Sequence, residues 1–214
     1  MTPTRSRRAR RRDAAGPRKG DLREAQILDA ADGLLAAAPF TDLTMDDIAR
    51  QAGLSRSALY FYFDSKEAVL AGLHQRIFEA MASTVDPITG GLEPTEHAMR
   101  DAVAQVCTNW RSHPHALRTF HETAMVSREF GELWRTRLDR HVAILTGIAE
   151  AERTAGRAAP GPPPSRALVS AWFWMLETQL YELFRREHTR REEDDLVETL
   201  TVLWFRTIGA VTSP

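Results

Sequence analysis

Four residues of this 214-residue chain have types and a spacing that could do chemistry: Ser55, Arg56, Ser57 and Tyr60. They lie in the stretch TMDDIARQAGLSRSALYFYF, residues 44–63, just after a glycine. An arginine guanidinium donates two parallel hydrogen bonds and therefore fits guanine or phosphate, and short hydroxyl groups donate to phosphate oxygens. These residue types at the start of one helix favour contact with double-stranded DNA.

The same stretch has the spacing of a helix-turn-helix. Counted from Met45, the fifth residue is Ala49, which lets two short helices cross closely, and the ninth is Gly53, which permits the turn. The positions expected to be buried at the crossing are all apolar or aromatic: Ile48, Ala52, Leu54, Leu59 and Tyr62. The alternative is an ordinary helical hairpin, which gives no reason to expose two serines, an arginine and a tyrosine together.

Other chemistry finds little support in the sequence. His113, His115 and His121 are close together, but Pro114 makes shared coordination of a metal awkward, and no HExxH or paired-cysteine spacing occurs. No nucleophile elbow, Walker loop or Rossmann glycine pattern is present. We therefore expect no metal, no cofactor and no enzymatic activity. The rival interpretation is a helical carrier of hydrophobic ligands, or an enzyme, that uses an apolar tunnel in the C-terminal part.

Charge is distributed unevenly along the chain. Residues 1–20 contain eight basic residues and one acidic residue, whereas the whole chain has a net charge of −1. We expect a disordered basic arm there, which could attract a polyanion or merely be solvated. No secretion signal or membrane span is expected, and the single Cys107 cannot form an intrachain disulfide. These features favour a cytoplasmic protein.

The elements that must position these residues are predicted to be helices, because apolar residues recur at spacings of three and four and no strand pattern appears. Thr44 with Asp47 predicts a capping box, as does Thr189 with Glu192, and Ser55 can cap a helix. The all-α fold is predicted to have about nine helices, at roughly 22–38, 44–53, 55–63, 66–83, 94–111, 115–125, 128–155, 165–187 and 191–211.

Two stretches rich in Pro and Gly are predicted connections between helices, residues 86–91 and 160–164. The fourth helix, which precedes the first of them, carries an apolar stripe that includes Ile77 and Met81 and is expected to be core.

The segment LTMDDIARQAGLSRSALYFYFDSKEAVL resembles the DNA-binding motif of the TetR family of one-component transcriptional regulators. The parts FYFDSKEAVL and REAQILDAADGLL, with short matches at residues 133–134 and 151–153, are most similar to the EthR branch of that family. The resemblance implies a three-helix DNA-binding domain at 21–68 and a helical effector-binding and dimerisation domain at 69–214. It also implies a homodimeric repressor that binds a palindromic operator and is released by a lipophilic small molecule.

Carried over position by position, the DNA contacts of the family fall on Thr44, Ser55, Arg56, Ser57, Tyr60, Tyr62 and Lys66. The implied ligand tunnel is lined by Met99, Val106, Trp110, Trp134, Leu138, Phe173, Leu176, Tyr181 and Trp204. Glu177 could be one of the few polar groups that orient a ligand. The alternative is that the large apolar residues at 172–175 form only core and dimer interface, without a cavity.

The resemblance also implies that the last two long helices, 165–187 and 191–211, pair across a two-fold axis. Leucines recur there at helical spacing and offer more apolar surface than one subunit can readily cover. The predicted interface residues are Leu180, Leu183, Leu196, Leu200 and Leu203.

Overall fold

The computed structural model describes residues 19–89, 95–158 and 161–208, and every regular element in these ranges is an α-helix. This confirms the all-α fold. None of the described helices is long and apolar enough to cross a membrane. The elements are α1 (Lys19–Ala37), α2 (Met45–Gln51), α3 (Arg56–Tyr60), α4 (Lys66–Thr89), α5 (Glu96–Ser112), α6 (Pro114–Val126), α7 (Arg128–Thr154), α8 (Ser165–Phe184) and α9 (Arg190–Ile208).

Some predictions lie outside the described ranges. They are the basic arm up to residue 18, residues 90 and 91 of the first predicted connection, and the end of the predicted ninth helix after residue 208. Residue 160 of the second predicted connection also lies outside, while its remainder separates α7 from α8 as expected.

The largest differences from the predicted helix lengths are in α4 and α3. α4 continues to Thr89, so the predicted connection does not begin at residue 86. α3 ends at Tyr60, earlier than predicted, and the amides of Tyr62 and Phe63 then both donate to the Leu59 carbonyl, at 2.9 and 3.0 Å.

The predicted helix caps are confirmed. Thr44 caps α2: its hydroxyl accepts the Asp47 amide at 3.2 Å, and its own amide donates to the Asp47 carboxylate at 3.1 Å. The Thr189 amide donates to the Glu192 carboxylate at 2.8 Å, and this bond together with Arg186 lowers the pKa of Glu192 to about 2. These local bonds set where the helices begin.

The chain divides into two compact units between Leu70 and Ala71, within α4. In the first unit α1 packs against α2 and α2 packs against α3. The side chains of Ile27, Ile48 and Leu59 are almost completely buried in its core. Gly53 has a φ of 65°, which side chains other than glycine rarely adopt, and thereby permits the turn between α2 and α3.

In the second unit α8 contacts four other helices. It packs against α7 and α9, and also against α5 and α6, while α5 lies on α9 and α6 on α7. Its large side chains form much of the core: the Trp172 indole donates to the Leu200 carbonyl at 3.0 Å and meets the Trp204 ring edge-on at 5.0 Å. α8 therefore fixes the arrangement of its neighbours.

A buried carboxylate joins α5 to α9. Glu193 is 5% exposed and accepts hydrogen bonds from Arg111 at 2.9 and 2.6 Å and from Arg190 at 2.7 Å. His188 lies 3.2 Å from its other oxygen. Burial and the Glu193 charge raise the pKa of the neighbouring Cys107 thiol to about 11, so this thiol stays protonated and unreactive at neutral pH.

Glu193→Gln should lower the free energy of unfolding by about 1.5–3 kcal/mol, because it weakens charge-assisted hydrogen bonds that are shielded from water. Glu198→Gln is the matched control on the same helix: its pair with Arg100 is half-exposed, and its loss should cost less than about 1 kcal/mol. Urea unfolding at one fixed protein concentration measures both values. Equal losses for the two variants would contradict a structural role for the buried cluster.

Candidate functional site

The polar side chains at the start of α3 lie together at the surface. Ser55 caps the helix: its hydroxyl accepts the Ala58 amide at 3.2 Å and lies 3.1 Å from the Ser57 hydroxyl. Ser55, Arg56, Ser57 and Tyr60 are all exposed. The structure therefore brings the central predicted DNA contacts onto one short helix.

Arg56 is held loosely within this group. Its guanidinium donates to the Asp46 carboxylate at 3.3 Å and lies 5.6 Å from the centre of the Tyr60 ring. The hydrogen bond with Tyr60 and the charge of Asp46 raise the pKa of Arg56, so it remains a cation. Because the Arg56 and Asp46 side chains are 65% and 55% exposed, this ion pair is weak and can be exchanged for an acceptor on DNA.

Aromatic rings continue this surface beyond the end of α3. Tyr60 is 40% exposed and Phe61 is 83% exposed, while Tyr62 is half-buried and meets the Phe61 ring edge-on at 5.3 Å. Phe61 is absent from the predicted contacts although it is the most exposed of these rings. Its exposure depends on where α3 ends, which periodicity in the sequence does not define.

Thr44 and Lys66, two further predicted DNA contacts, take part in the scaffold. The Thr44 hydroxyl caps α2, and the Lys66 ammonium donates to the carbonyls of Phe40, Thr41 and Leu43 at 2.9, 3.0 and 2.9 Å. An ammonium group has three donors, and all three are used here. Lys66 thus ties the connection after α1 to the start of α4, and a direct DNA contact would replace one of these bonds.

Two small cavities in the second unit, apart from an open cleft of about 500 Å³ between the start of α6 and the end of α8, share the side chains of Met81 and Glu177. The larger, of about 50 Å³, lies among α4, α5, α7 and α8, and the smaller, of about 20 Å³, also reaches α6. Of the predicted ligand contacts, the larger cavity is lined by Met99, Val106, Phe173, Leu176 and Glu177. The smaller is lined by Trp110, Trp134 and again Glu177.

Three predicted ligand contacts line neither cavity. Leu138 is 4% exposed and packs into the core. The Tyr181 ring stacks on His121 at 4.3 Å, and its hydroxyl donates to Glu122 at 3.3 Å. Trp204 is completely buried on α9. Their spacing along the helices indicates that they face inward, but spacing does not show which inward-facing side chains border a cavity.

α4 supplies cavity walls that are absent from the predicted ligand contacts. His74, Ile77 and Phe78 line the smaller cavity, and Met81 lines both. His141 on α7 lines the larger one. A histidine within an otherwise apolar stripe of α4 was the one sequence signal that could have indicated a cavity there.

Burial and stacking on aromatic rings determine the environment of the histidines that line the smaller cavity. His74 stacks on Phe120 with ring centres 3.5 Å apart, and burial together with Arg137 lowers its pKa well below the usual range. Burial also lowers the pKa of His121. Among residues 19–89, 95–158 and 161–208, no three His, Cys, Asp or Glu side chains form a group that could hold a metal ion.

Three of the five leucines predicted for a dimer interface are instead part of the subunit's own core. Leu180, Leu183 and Leu200 are 0%, 6% and 1% exposed, so they offer almost no surface to a second subunit. Their regular spacing reflects packing between α8 and its neighbours within one chain. Leu196 and Leu203 are half-buried and remain available in part.

Known proteins match both units of the chain. Residues 27–73 match the family model of bacterial regulatory proteins of the TetR family, and residues 99–210 match that of the C-terminal domain of the transcriptional regulator EthR. The chain is 33% identical over 191 residues to the HTH-type transcriptional regulator EthR of Mycobacterium tuberculosis, with 88% of each chain covered. It is 33% identical over 208 residues to EthR of Mycolicibacterium smegmatis, with 97% of this chain and 95% of the relative covered.

Solved structures share the fold at lower identity. The fatty acid degradation regulator FadR from Bacillus halodurans matches with a TM-score of 0.74 and 18% identity, over 88% of this chain and 97% of that one. A TetR-like transcriptional regulator from Rhodococcus matches with a TM-score of 0.65 and 22% identity, over 86% of this chain and 94% of that one. The helix-turn-helix around α2 and α3, the two family matches and the full-length relatives agree: the chain belongs to the TetR family of bacterial transcriptional regulators and has a C-terminal domain of the EthR type.

Proposed function

We propose that the protein is a cytoplasmic repressor that binds a palindromic operator as a homodimer and is released from it by a lipophilic small molecule. The observation that carries the proposal is the exposed group Ser55, Arg56, Ser57 and Tyr60 on α3 of a helix-turn-helix. A carrier or an enzyme that uses only the second unit has no reason to expose these side chains together.

The DNA-binding part of the proposal depends on few cations. Residues 21–70 contain four basic and nine acidic residues, so non-specific attraction to DNA is weak in this unit. Arg56 is exposed and has only an exposed ion-pair partner, which makes it the cation best suited to contact a base or a phosphate. The basic arm at residues 1–20 supplies long-range attraction in this account.

The effector part of the proposal requires the cavities to open. Small-molecule sites in proteins usually measure roughly 300–1,000 Å³, far more than the two cavities here. Because Met81 and Glu177 line both cavities, displacing these two side chains merges them into one site. Met81 lies on α4, the helix that begins at Lys66 in the first unit, so a ligand that shifts α4 can alter how the DNA-binding unit is held.

The dimer part of the proposal uses the faces of α8 and α9 that the subunit leaves uncovered. On α8, Ala167, Ala171 and Thr178 share one exposed face. On α9, the half-buried Leu196 and Leu203 flank this surface in the proposed interface. Small side chains on α8 and leucines on α9 allow two such pairs of helices to pack closely about a two-fold axis.

Arg56→Ala should weaken operator binding by about 1–3 kcal/mol if the guanidinium contacts a base, without lowering thermal stability. Fluorescence anisotropy with DNA from the region beside the protein's own gene measures the affinity. Arg128→Ala is the matched control, because it removes the same charge from a 92% exposed site in the second unit. Operator affinity that is the same for both variants would exclude Arg56 from the DNA-binding surface.

Ala171→Arg should convert the dimer into a monomer at micromolar concentration, because it places a long charged side chain in the proposed interface. Light scattering measures the mass, and circular dichroism checks that helix content is retained. Thr136→Arg adds the same side chain to an exposed position on α7 and should leave the dimer intact. A dimer of unchanged stability in Ala171→Arg would show that α8 is not in the interface.

A further inference from the structure

Glu177 is a buried carboxylic acid placed between the two cavities of the second unit. Its side chain lines both cavities, yet the residue is only 7% exposed. It makes no hydrogen bond or ion pair with any part of the chain that the structure describes. A buried carboxylate without a partner is costly, and a group kept in this state next to a cavity is suited to pair with a ligand.

None of the described groups that face Glu177 from the surrounding helices forms an ion pair with it. α4, α6 and α7 contribute His74, His121 and His141 to the cavity walls, and α5 contributes the uncharged Asn109. Burial lowers the pKa of His74 and of His121, which keeps both rings neutral at pH 7. Accordingly, burial alone raises the pKa of Glu177, to about 7.

The nearby cation is committed elsewhere. Arg137 on α7 contacts His74 Nδ1, donates to the Ala71 carbonyl at 3.3 Å and lies 5.6 Å from the centre of the Phe120 ring. The charge of Arg137 contributes to the lowered pKa of His74, but only burial accounts for the raised pKa of Glu177. A cationic ligand could therefore supply the partner that the described part of the chain does not give Glu177.

The cavity walls are suited to an organic cation with an apolar body. Trp110 and Trp134 line the smaller cavity beside Glu177, and Trp172 and Phe173 line the larger. Aromatic faces attract ammonium groups, and this attraction is greatest where water is excluded. The carboxyl of Glu177 and the indole rings together provide a site for one ammonium group, and the remaining walls provide a site for hydrocarbon.

We propose that the effector of this protein is an apolar molecule that carries one protonated amine, and that Glu177 is the specificity-determining residue that pairs with this amine. This inference rests on the proposed function, because it names the chemical class of the effector for the same site. Glu177 shifts to pair with the ammonium group, Met81 is displaced, and the hydrocarbon part occupies the merged cavities.

The proposal makes a definite prediction for pH. An amine pairs with the carboxylate form, so its affinity should rise roughly tenfold between pH 6 and pH 8, as a group with a pKa near 7 loses its proton while the amine keeps its own. A neutral ligand that accepts a hydrogen bond needs the protonated carboxylic acid instead, and its affinity should fall over the same range. The sign of the change distinguishes the two classes.

The test compares 4-phenylbutylamine with 4-phenylbutanol, two ligands of nearly equal size that differ in charge. Calorimetric titration of the full-length protein at pH 8 should show at least tenfold tighter binding of the amine. Glu177→Gln should abolish this preference and the associated rise with pH, while still binding the alcohol.

Glu182→Gln is the control variant, because it removes an acidic group from an exposed position on α8 and should retain the preference for the amine. If Glu177→Gln does not fold, the pH series on the wild-type protein still tests the proposal, because the affinity for the amine must rise between pH 6 and pH 8. Equal affinity for amine and alcohol at pH 8, a preference that survives in Glu177→Gln, or no binding of either ligand would overturn the proposal.

Operator binding measured in parallel separates this inference from the proposed function. An amine that binds through Glu177 but leaves operator affinity unchanged supports the inference and contradicts effector release. An alcohol that binds as well as the amine and releases the operator supports effector release and contradicts the role of Glu177.

Discussion

Burial of α8 among four other helices is the constraint on which the second unit depends. Its residues 172–175 are all large and apolar, and a helix cannot turn four consecutive side chains the same way. Trp172 and Phe173 therefore enter the core, while Trp174 remains 44% exposed against Trp134. The same helical register brings Glu177 inside, one turn after Phe173. The cavities, the buried acid and the uncovered face of α8 all result from this one placement.

Local features of the fold could be predicted from the sequence because they depend on neighbours in the chain. The capping box at Thr44, the cap at Ser55 and the glycine turn all form within a few residues, and the helix-turn-helix was recognised from them. Long-range features could not be predicted in this way. Periodicity shows that Leu180 faces inward, but not that its own subunit covers it; similarly, no local pattern places three carbonyls around Lys66.

The proposed release from DNA requires a definite coupling free energy between ligand binding and operator binding. To weaken operator binding about a hundredfold, a ligand must favour the form that does not bind DNA by about 2.7 kcal/mol, which is within the usual range for allosteric proteins. In the proposed mechanism, opening of the two small cavities at Met81 supplies these differential contacts, because cavities of about 50 and 20 Å³ have no room for such a ligand. α4 carries both Met81 and Lys66, so its displacement is the simplest physical connection between the two events.

The most direct measurement is therefore a reciprocal titration of the full-length protein with operator DNA and a cavity ligand such as 4-phenylbutylamine. Operator affinity is measured with and without saturating ligand, and ligand affinity is measured with and without saturating operator. The account predicts that each weakens the other by the same factor, on the order of a hundredfold. If the ligand binds and quenches tryptophan fluorescence while operator affinity stays the same, the cavity is a binding site but does not control DNA binding.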